Sequence, residues 1–199
     1  MSIRIIGGDL RGRRMSVPDL PGLRPTTDRV RESVFNILAT RIDFEDCSVL
    51  DLFAGSGALG IEALSRGAKN VLFVEKNRRA LSAIGENLKE FGVAERGELL
   101  SLDAMRFLEM NRKEEKFDLI FADPPYAAPF FNNLLRTISP LLAEDGLLLL
   151  ERSREIRIVD PPKLDLLLER TIGRTVIGLY RAEGEGEYIG TSDTESTAP

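Results

Sequence analysis

Two short segments of the 199-residue chain combine residue types suited to chemistry. The run Asp51-Leu-Phe-Ala-Gly-Ser-Gly-Ala-Leu-Gly60 carries glycines at 55, 57 and 60, the G-x-G-x-x-G spacing that lets a nucleotide-like cofactor lie against bare backbone. That spacing alone is a weak signal. Here an apolar run precedes it, a helix-length stretch follows it, and Glu75 stands 20 residues beyond Gly55 with a carboxylate able to accept both hydrogens of a ribose diol. Asp51 decides which cofactor. A dinucleotide fold holds a pyrophosphate at the helix N-terminus, where a carboxylate just ahead of the glycines is a repulsive neighbour. S-adenosylmethionine carries an ammonium and a sulfonium but no phosphate, so Asp51 favours the methyl donor over NAD. Asp51, Phe53, Ala54, Gly55, Ser56, Gly57, Glu75 and Lys76 are the cofactor-site candidates here. The bland alternative is a tight strand-to-helix turn followed by an ordinary surface Glu.

The second segment is Asp123-Pro124-Pro125-Tyr126, at the end of another apolar run. Ligands of open α/β sheets bind outside the carboxyl ends of the strands, so this tetrapeptide is expected to face the cofactor as the catalytic segment. Two prolines fix φ and remove two backbone donors, which leaves a stiff loop presenting a carboxylate and a carbonyl. An exocyclic NH2 suits two adjacent acceptors, and Tyr126 offers a ring on which a planar base stacks for about 1–3 kcal/mol. A plain Pro-Pro turn is the competing reading. Asp103 and Ala104 close the third apolar run. There a carboxylate can accept from an adenine amine, cap the following helix, or both. Cys47 precedes the first run, away from these loops, and reads as an inert residue at the edge of the core. The chain has no histidine and one cysteine, which excludes Ser-His-Asp and Cys-His nucleophiles, internal disulfides and Cys/His zinc sites. No metal is expected.

These residues need a scaffold, and the apolar pattern supplies one. Strand-like runs fall at Ser48–Phe53, Asn70–Glu75, Leu99–Leu102, Phe117–Ala122 and Gly146–Glu151. Helix-length stretches lie between them at Leu59–Arg66, Arg78–Phe91, Ala104–Asn111 and Phe130–Leu142. Strands joined by helical crossovers make a parallel sheet covered on both faces. Asp165–Arg170 and Thr175–Arg181 lack a helix-length spacer and are expected to close the sheet as an antiparallel pair. Ahead of the sheet, Ile3–Ile6 and Arg13–Val17 flank Gly7-Gly8-Asp9 as a small hairpin. A helix follows from Asp28 to Ala39, capped by Thr26 or Thr27, with Val30, Val34, Ile37 and Leu38 inward and Arg29 and Arg31 outward.

Charge is unevenly spread. Residues 1–41 hold eight arginines against four acidic residues, residues 183–199 hold five acidic residues and no base, and the whole carries -5. The chain therefore divides into a basic hairpin-and-helix extension (1–41), an α/β domain (42–182) and an acidic tail (183–199) expected to be disordered. Arginines grip phosphate as planar forks, so the basic head is expected to dock RNA through Arg4, Arg11, Arg13, Arg14, Arg24, Arg29 and Arg31; a merely solvated face is the alternative. No apolar run approaches the roughly 18 residues of a membrane span. With no secretory leader pattern and one cysteine, a cytoplasmic, non-membrane protein is expected, and nothing demands more than a monomer.

Three stretches of the sequence match one known family in order. They are Arg4-Ile-Ile-Gly-Gly with Arg11-Gly-Arg-Arg14, Gly22-Leu-Arg-Pro-Thr-Thr-Asp-Arg-Val-Arg-Glu-Ser-Val-Phe-Asn36, and Leu50–Ala68, completed by Asp123-Pro-Pro-Tyr126. Over roughly residues 3–182 the chain resembles the bacterial RsmD family of 16S rRNA (guanine-N2)-methyltransferases. The Gly-rich and Asp-Pro-Pro-Tyr motifs are shared by many amino-methyltransferases, while the Arg-Pro-Thr-Thr-Asp segment is specific to the family. The resemblance implies a class I S-adenosylmethionine-dependent methyltransferase, with a Rossmann-like, seven-stranded, mostly parallel sheet whose last strand is antiparallel. It also implies small-subunit rRNA or the assembling small subunit as partner, with Arg24, Thr26 and Asp28 in a loop over the cofactor. The acidic tail matches nothing in the family pattern. An adenine-N6 DNA methyltransferase would use the same tetrapeptide but needs more chain to read a DNA sequence. An NAD-dependent oxidoreductase and a non-catalytic ribosome-assembly factor are the readings from other classes.

Overall fold

A computed structural model describes residues 1–20, 27–110, 115–124, 131–156, 158 and 163–182. In chain order the elements are β1 (Ser2–Arg4), β2 (Arg14–Ser16), α1 (Asp28–Leu38), β3 (Ser48–Asp51), α2 (Ala58–Ser65), β4 (Asn70–Val74), α3 (Arg78–Phe91) and β5 (Gly97–Leu100). There follow α4 (Ala104–Glu109), β6 (Phe117–Ala122), α5 (Phe131–Ile138), β7 (Leu142–Ser153), β8 (Leu164–Ile172) and β9 (Thr175–Ala182). Seven strands form one sheet in the order β5-β4-β3-β6-β7-β9-β8. The first five in that order run parallel, and β9 enters antiparallel between β7 and β8. This is the seven-stranded, mostly parallel α/β sheet the sequence implies.

Strand pleat divides the core into two layers. Val49, Val71, Phe73, Leu119, Phe121, Leu147 and Leu149 face α1, α2 and α3. Their chain neighbours Leu50, Leu72, Val74, Ile120, Leu148 and Leu150 face α4 and α5. Phe35 of α1 lies against Phe121 and Phe44 with ring centroids 5.8 Å apart in each pair, so the N-terminal helix packs on the same sheet. The separate β1–β2 hairpin pairs Ile3 with Met15. It is fastened to the C-terminal end of α2 by the Ser65 hydroxyl, which donates to the Gly7 carbonyl (2.5 Å) and accepts from the Leu10 N–H (2.9 Å). Buried Asn87 of α3 bonds both the N–H and the carbonyl of Ser16 at 2.8 Å, taking the place of a neighbouring strand.

One open choice is resolved, and several elements depart from expectation. Thr27, not Thr26, caps α1, accepting from the Val30 N–H at 3.4 Å; Thr26 is outside the described residues. The third strand lies two residues earlier than Leu99–Leu102, and as the sheet edge it leaves Leu99 37% exposed. The helix after Phe131 ends at Ile138, because Pro140 lacks the N–H to continue it and Ser139–Leu141 tightens into a 3-10 turn. The largest correction is Arg31, expected outward but only 1% exposed. Arg31 sits three and four residues before Val34 and Phe35, on the inward stripe itself. Its guanidinium donates to the Arg4 carbonyl (2.6 Å) and to Asp28 (2.9 Å), and burial holds its pKa below the ordinary arginine value. Among the described residues, no helix is long and apolar enough to cross a membrane.

Candidate active site

Strand order reverses between β3 and β6, since β4 and β5 extend the sheet to one side and β6 and β7 to the other. A crevice opens at the carboxyl ends there, which is where open α/β sheets bind ligands. Every parallel strand delivers a carboxylate to this edge. Asp51 ends β3, Glu75 follows β4, Asp103 lies just past β5, Asp123 follows β6, and Glu151 is near the end of β7.

The Gly-rich loop folds around two of these carboxylates. Buried Asp51 accepts from the Gly60 N–H at 3.1 Å, pinning the first turn of α2 to the strand before it. Glu75 accepts from the Gly55 N–H (2.9 Å) through one oxygen and from the Asn77 N–H (2.7 Å) through the other. Its orientation is fixed, and each oxygen keeps a lone pair for a diol. Gly57 opens α2 at φ 75°, in the left-handed region, and a Cβ there would stand 2.8 Å from the Ile84 side chain. Gly60 has a different job: a Cβ would lie 2.3 Å from the Phe73 ring, so the glycine sets how closely α2 packs on β4. Ala54 and Ser56 are buried and Phe53 is half-buried within this turn. Asp103 caps α4 by accepting from the Met105 N–H (3.0 Å), and its second oxygen lies 3.6 Å from the ammonium of Lys76. The capping reading is realised, and buried Ala104 opens that helix.

Asp123 and Glu151 form the unexpected feature. Ala122 of β6 pairs with Leu150 of β7, so the two acids occupy the next positions along neighbouring strands. Glu151 is 7% exposed and accepts one hydrogen bond, from the Thr175 hydroxyl at 3.3 Å. Burial, the Glu151 charge and Asp51 together push Asp123 up to about 8. Burial also raises Glu151, against the Thr175 bond. Asp51 rises to about 7 through burial and the Glu75 charge, opposed by the Gly60 bond. Three acids resist ionising together, and a bound cation relieves all three. The donor set thus fits a sulfonium and an ammonium and disfavours a pyrophosphate. Sequence reasoning missed Glu151, although it closes an apolar run as Glu75 closes another.

Pro124 is buried beside Asp123. Pro125, Tyr126, Thr26 and Arg24 lie outside the described residues. Cys47 sits at the opposite end of β3, its thiol donating to the Asp43 carbonyl (2.6 Å) and pushed up to about 11 by burial and nearby acids. The reading of an inert cysteine agrees with that geometry.

The arginines of the head take separate roles. Arg13 lies over the Phe91 ring at 4.5 Å and donates to the carbonyls of Glu90 (2.7 Å) and Phe91 (3.3 Å), at the C-terminus of α3. Arg14 donates twice to the Ser2 hydroxyl, at 3.0 and 2.8 Å. Arg4, Arg11 and Arg29 are exposed. Arg31, buried as described, is removed from any docking surface.

Comparison with known proteins places this architecture. Residues 3–181 match the family described as Conserved hypothetical protein 95. The chain is 39% identical over 188 residues to Ribosomal RNA small subunit methyltransferase D of Escherichia coli K12, covering 93% of this chain and 92% of that one. It is 37% identical over 187 residues to Putative rRNA methyltransferase YlbH of Bacillus subtilis 168, covering 92% of this chain and all of the relative. Among solved structures, the putative methyltransferase yhhF from Escherichia coli superposes with a TM-score of 0.80 at 37% identity, over 93% of this chain and 100% of that one.

Proposed function

The chain belongs to the Conserved hypothetical protein 95 family, and on that premise we propose that this S-adenosylmethionine-dependent methyltransferase acts on the exocyclic N2 amine of a guanine in small-subunit rRNA. The observation that carries the reading is the half-buried Asp123 carboxyl, set beside Glu151 and Pro124 at the crevice where the Gly-rich loop opens. Relatives named as rRNA methyltransferases over most of their length support the acceptor class.

Bound S-adenosylmethionine supplies an electrophilic methyl group on a sulfonium. Asp51 holds positive charge at the start of α2, and Glu75 orients the ribose. The guanine N2 lone pair is delocalised into the ring, which makes the amine a poor nucleophile. Asp123 and the Pro124 carbonyl accept its two N–H groups, aim its lone pair at the methyl group and disperse positive charge as it develops. Asp123 then takes the proton that leaves N2. Burial and neighbouring acids hold this carboxyl above its ordinary value, and a bound sulfonium would favour its ionised, proton-accepting form. Glu151 tunes Asp123 through its charge and is a positioning residue. Tyr126 keeps the stacking role read from the sequence, holding the extruded base. The enzyme works as a monomer in the cytoplasm, and residues 1–41 dock the RNA.

The test supplies labelled S-adenosylmethionine with small subunits and rRNA from cells lacking this gene, followed by nucleoside mass spectrometry. N2-methylguanosine that disappears with Asp123→Ala supports the proposal. Methyl on adenine N6 keeps fold and cofactor but overturns the base assignment, and transfer to neither substrate overturns the RNA acceptor.

A further inference from the structure

A cleft of about 380 Å³ lies at the far end of α2 from the carboxylates, within the range of small-ligand sites, about 300–1,000 Å³. One wall is the hairpin, with Arg4, Arg11 and Gly12; the other is α1, with Glu32 and Asn36 four residues apart on one face; Ile5, Gly7 and Arg66 line the rest. Arg66 is held rigidly: it donates twice to Glu62 (3.1 and 3.0 Å) and lies over the Phe35 ring at 4.7 Å. Among the described residues, the side chains of Arg4, Arg11, Glu32 and Asn36 make no hydrogen bond or ion pair with one another or with their surroundings.

The charges decide what fits. Glu62 already neutralises Arg66, and the C-terminus of α2 adds about half a negative charge. The uncommitted charges are the two guanidiniums on the hairpin wall and the Glu32 carboxylate facing them. A bare anion gains from one wall and is repelled by the other. A nucleotide satisfies both, with an anionic phosphate for the arginines and a base edge whose N–H groups donate to a carboxylate and an amide. Its exposed walls admit a strand passing over the surface.

We propose that this cleft grips one nucleotide of the RNA strand remote from the reaction centre, Arg4 and Arg11 holding its phosphate and Glu32 with Asn36 its base edge. The proposal rests on RNA being the substrate. The eight residues of α2 set the grip about 12 Å along that helix from the Gly-rich loop. The cleft therefore anchors the strand while a different nucleotide reacts.

The experiment measures binding of small-subunit rRNA by the full chain across a salt series, with methylation kinetics alongside, for wild type, the Arg4→Gln/Arg11→Gln double variant and Glu32→Gln. Losing one phosphate contact lowers the slope of log K against log salt by about one unit in the double variant. The RNA KM rises several-fold while kcat and S-adenosylmethionine affinity stay at wild type, the pattern of lost uniform binding. Glu32→Gln weakens RNA binding with the slope unchanged. An unchanged slope and KM in the double variant, or a loss of cofactor affinity along with them, overturns the proposal. A wild-type chain that binds RNA but transfers no methyl to it overturns the functional reading instead, and the salt slopes still judge the cleft.

Discussion

The two ends of α2 carry opposite charges in opposite surroundings. At Gly57 the carboxylates of Asp51, Asp123 and Glu151 are largely withdrawn from water; burial raises all three, and neighbouring acid charges add to the rise at Asp123 and Asp51. Beyond Ser65 the arginines of the hairpin stand exposed, where a guanidinium stays charged at any physiological pH. The difference is one of conditional against permanent charge. A buried acid cluster ionises more fully when a cation arrives or the pH rises, so the proposed reaction end responds to ligand and to pH. An exposed arginine pair is always cationic and always screened, so the proposed docking end responds to salt.

The largest expected effect breaks one end and spares the other. Asp123→Ala lowers methyl transfer at least about 100-fold, by loss of an acceptor and base in the transition state, while RNA binding and its salt slope stay at wild type. A parallel fall in RNA binding would show that the two ends do not act separately. Gly60→Ala drives a methyl into the Phe73 ring and costs about 1–3 kcal/mol in denaturant unfolding, with weaker S-adenosylmethionine binding and an unchanged salt slope.

The acid cluster also makes stability depend on pH. Asp51 and Asp123 have folded pKa values of about 7 and 8, above the unfolded value near 3.9, so the folded chain binds more protons across that window. Their stabilising protonation is complete below about pH 4 and is lost as pH rises through 7 and 8. Unfolding followed from pH 5 to 8.5 shows falling stability from these groups, and Asp123→Asn flattens the fall. A variant as steep as wild type would remove Asp123 from the cluster. Smallest of all is Thr27→Ala. The 3.4 Å cap bond is long, so the loss in thermal unfolding is about 0.5 kcal/mol, at the low end for caps.

Most of the fold was legible because apolar period and turn residues agree along the chain. Arg78–Phe91 and Phe117–Ala122 form over the very residues their patterns indicate. The third strand was misplaced by two residues because an edge strand has a neighbour on one side only, and its half-exposed Gly97–Leu100 lacks a continuous apolar signature. Arg31 was read by its charge rather than its place on the helix. Two partners make its burial tolerable: Asp28, three residues earlier, is visible in the sequence, while the Arg4 carbonyl comes from another element and leaves no local trace. At the site, Asp51, Glu75 and Asp123 were legible from their places at strand ends. Glu151 obeys the same rule, but its importance rests on β7 lying beside β6, an adjacency fixed by tertiary packing.

The central position of β3 has a consequence for the chain as it leaves the ribosome. β3 pairs on one side with β4, complete by residue 74, and on the other with β6, which begins only at residue 117. At about 5–20 residues per second, the second edge of Val49–Asp51 stays bare for seconds while the intervening chain is made. During that interval the nascent molecule presents an open, apolar strand edge of the kind that pairs with other chains. Products truncated before Phe117 keep that edge permanently, and association of unfinished copies is the hazard built into this strand order.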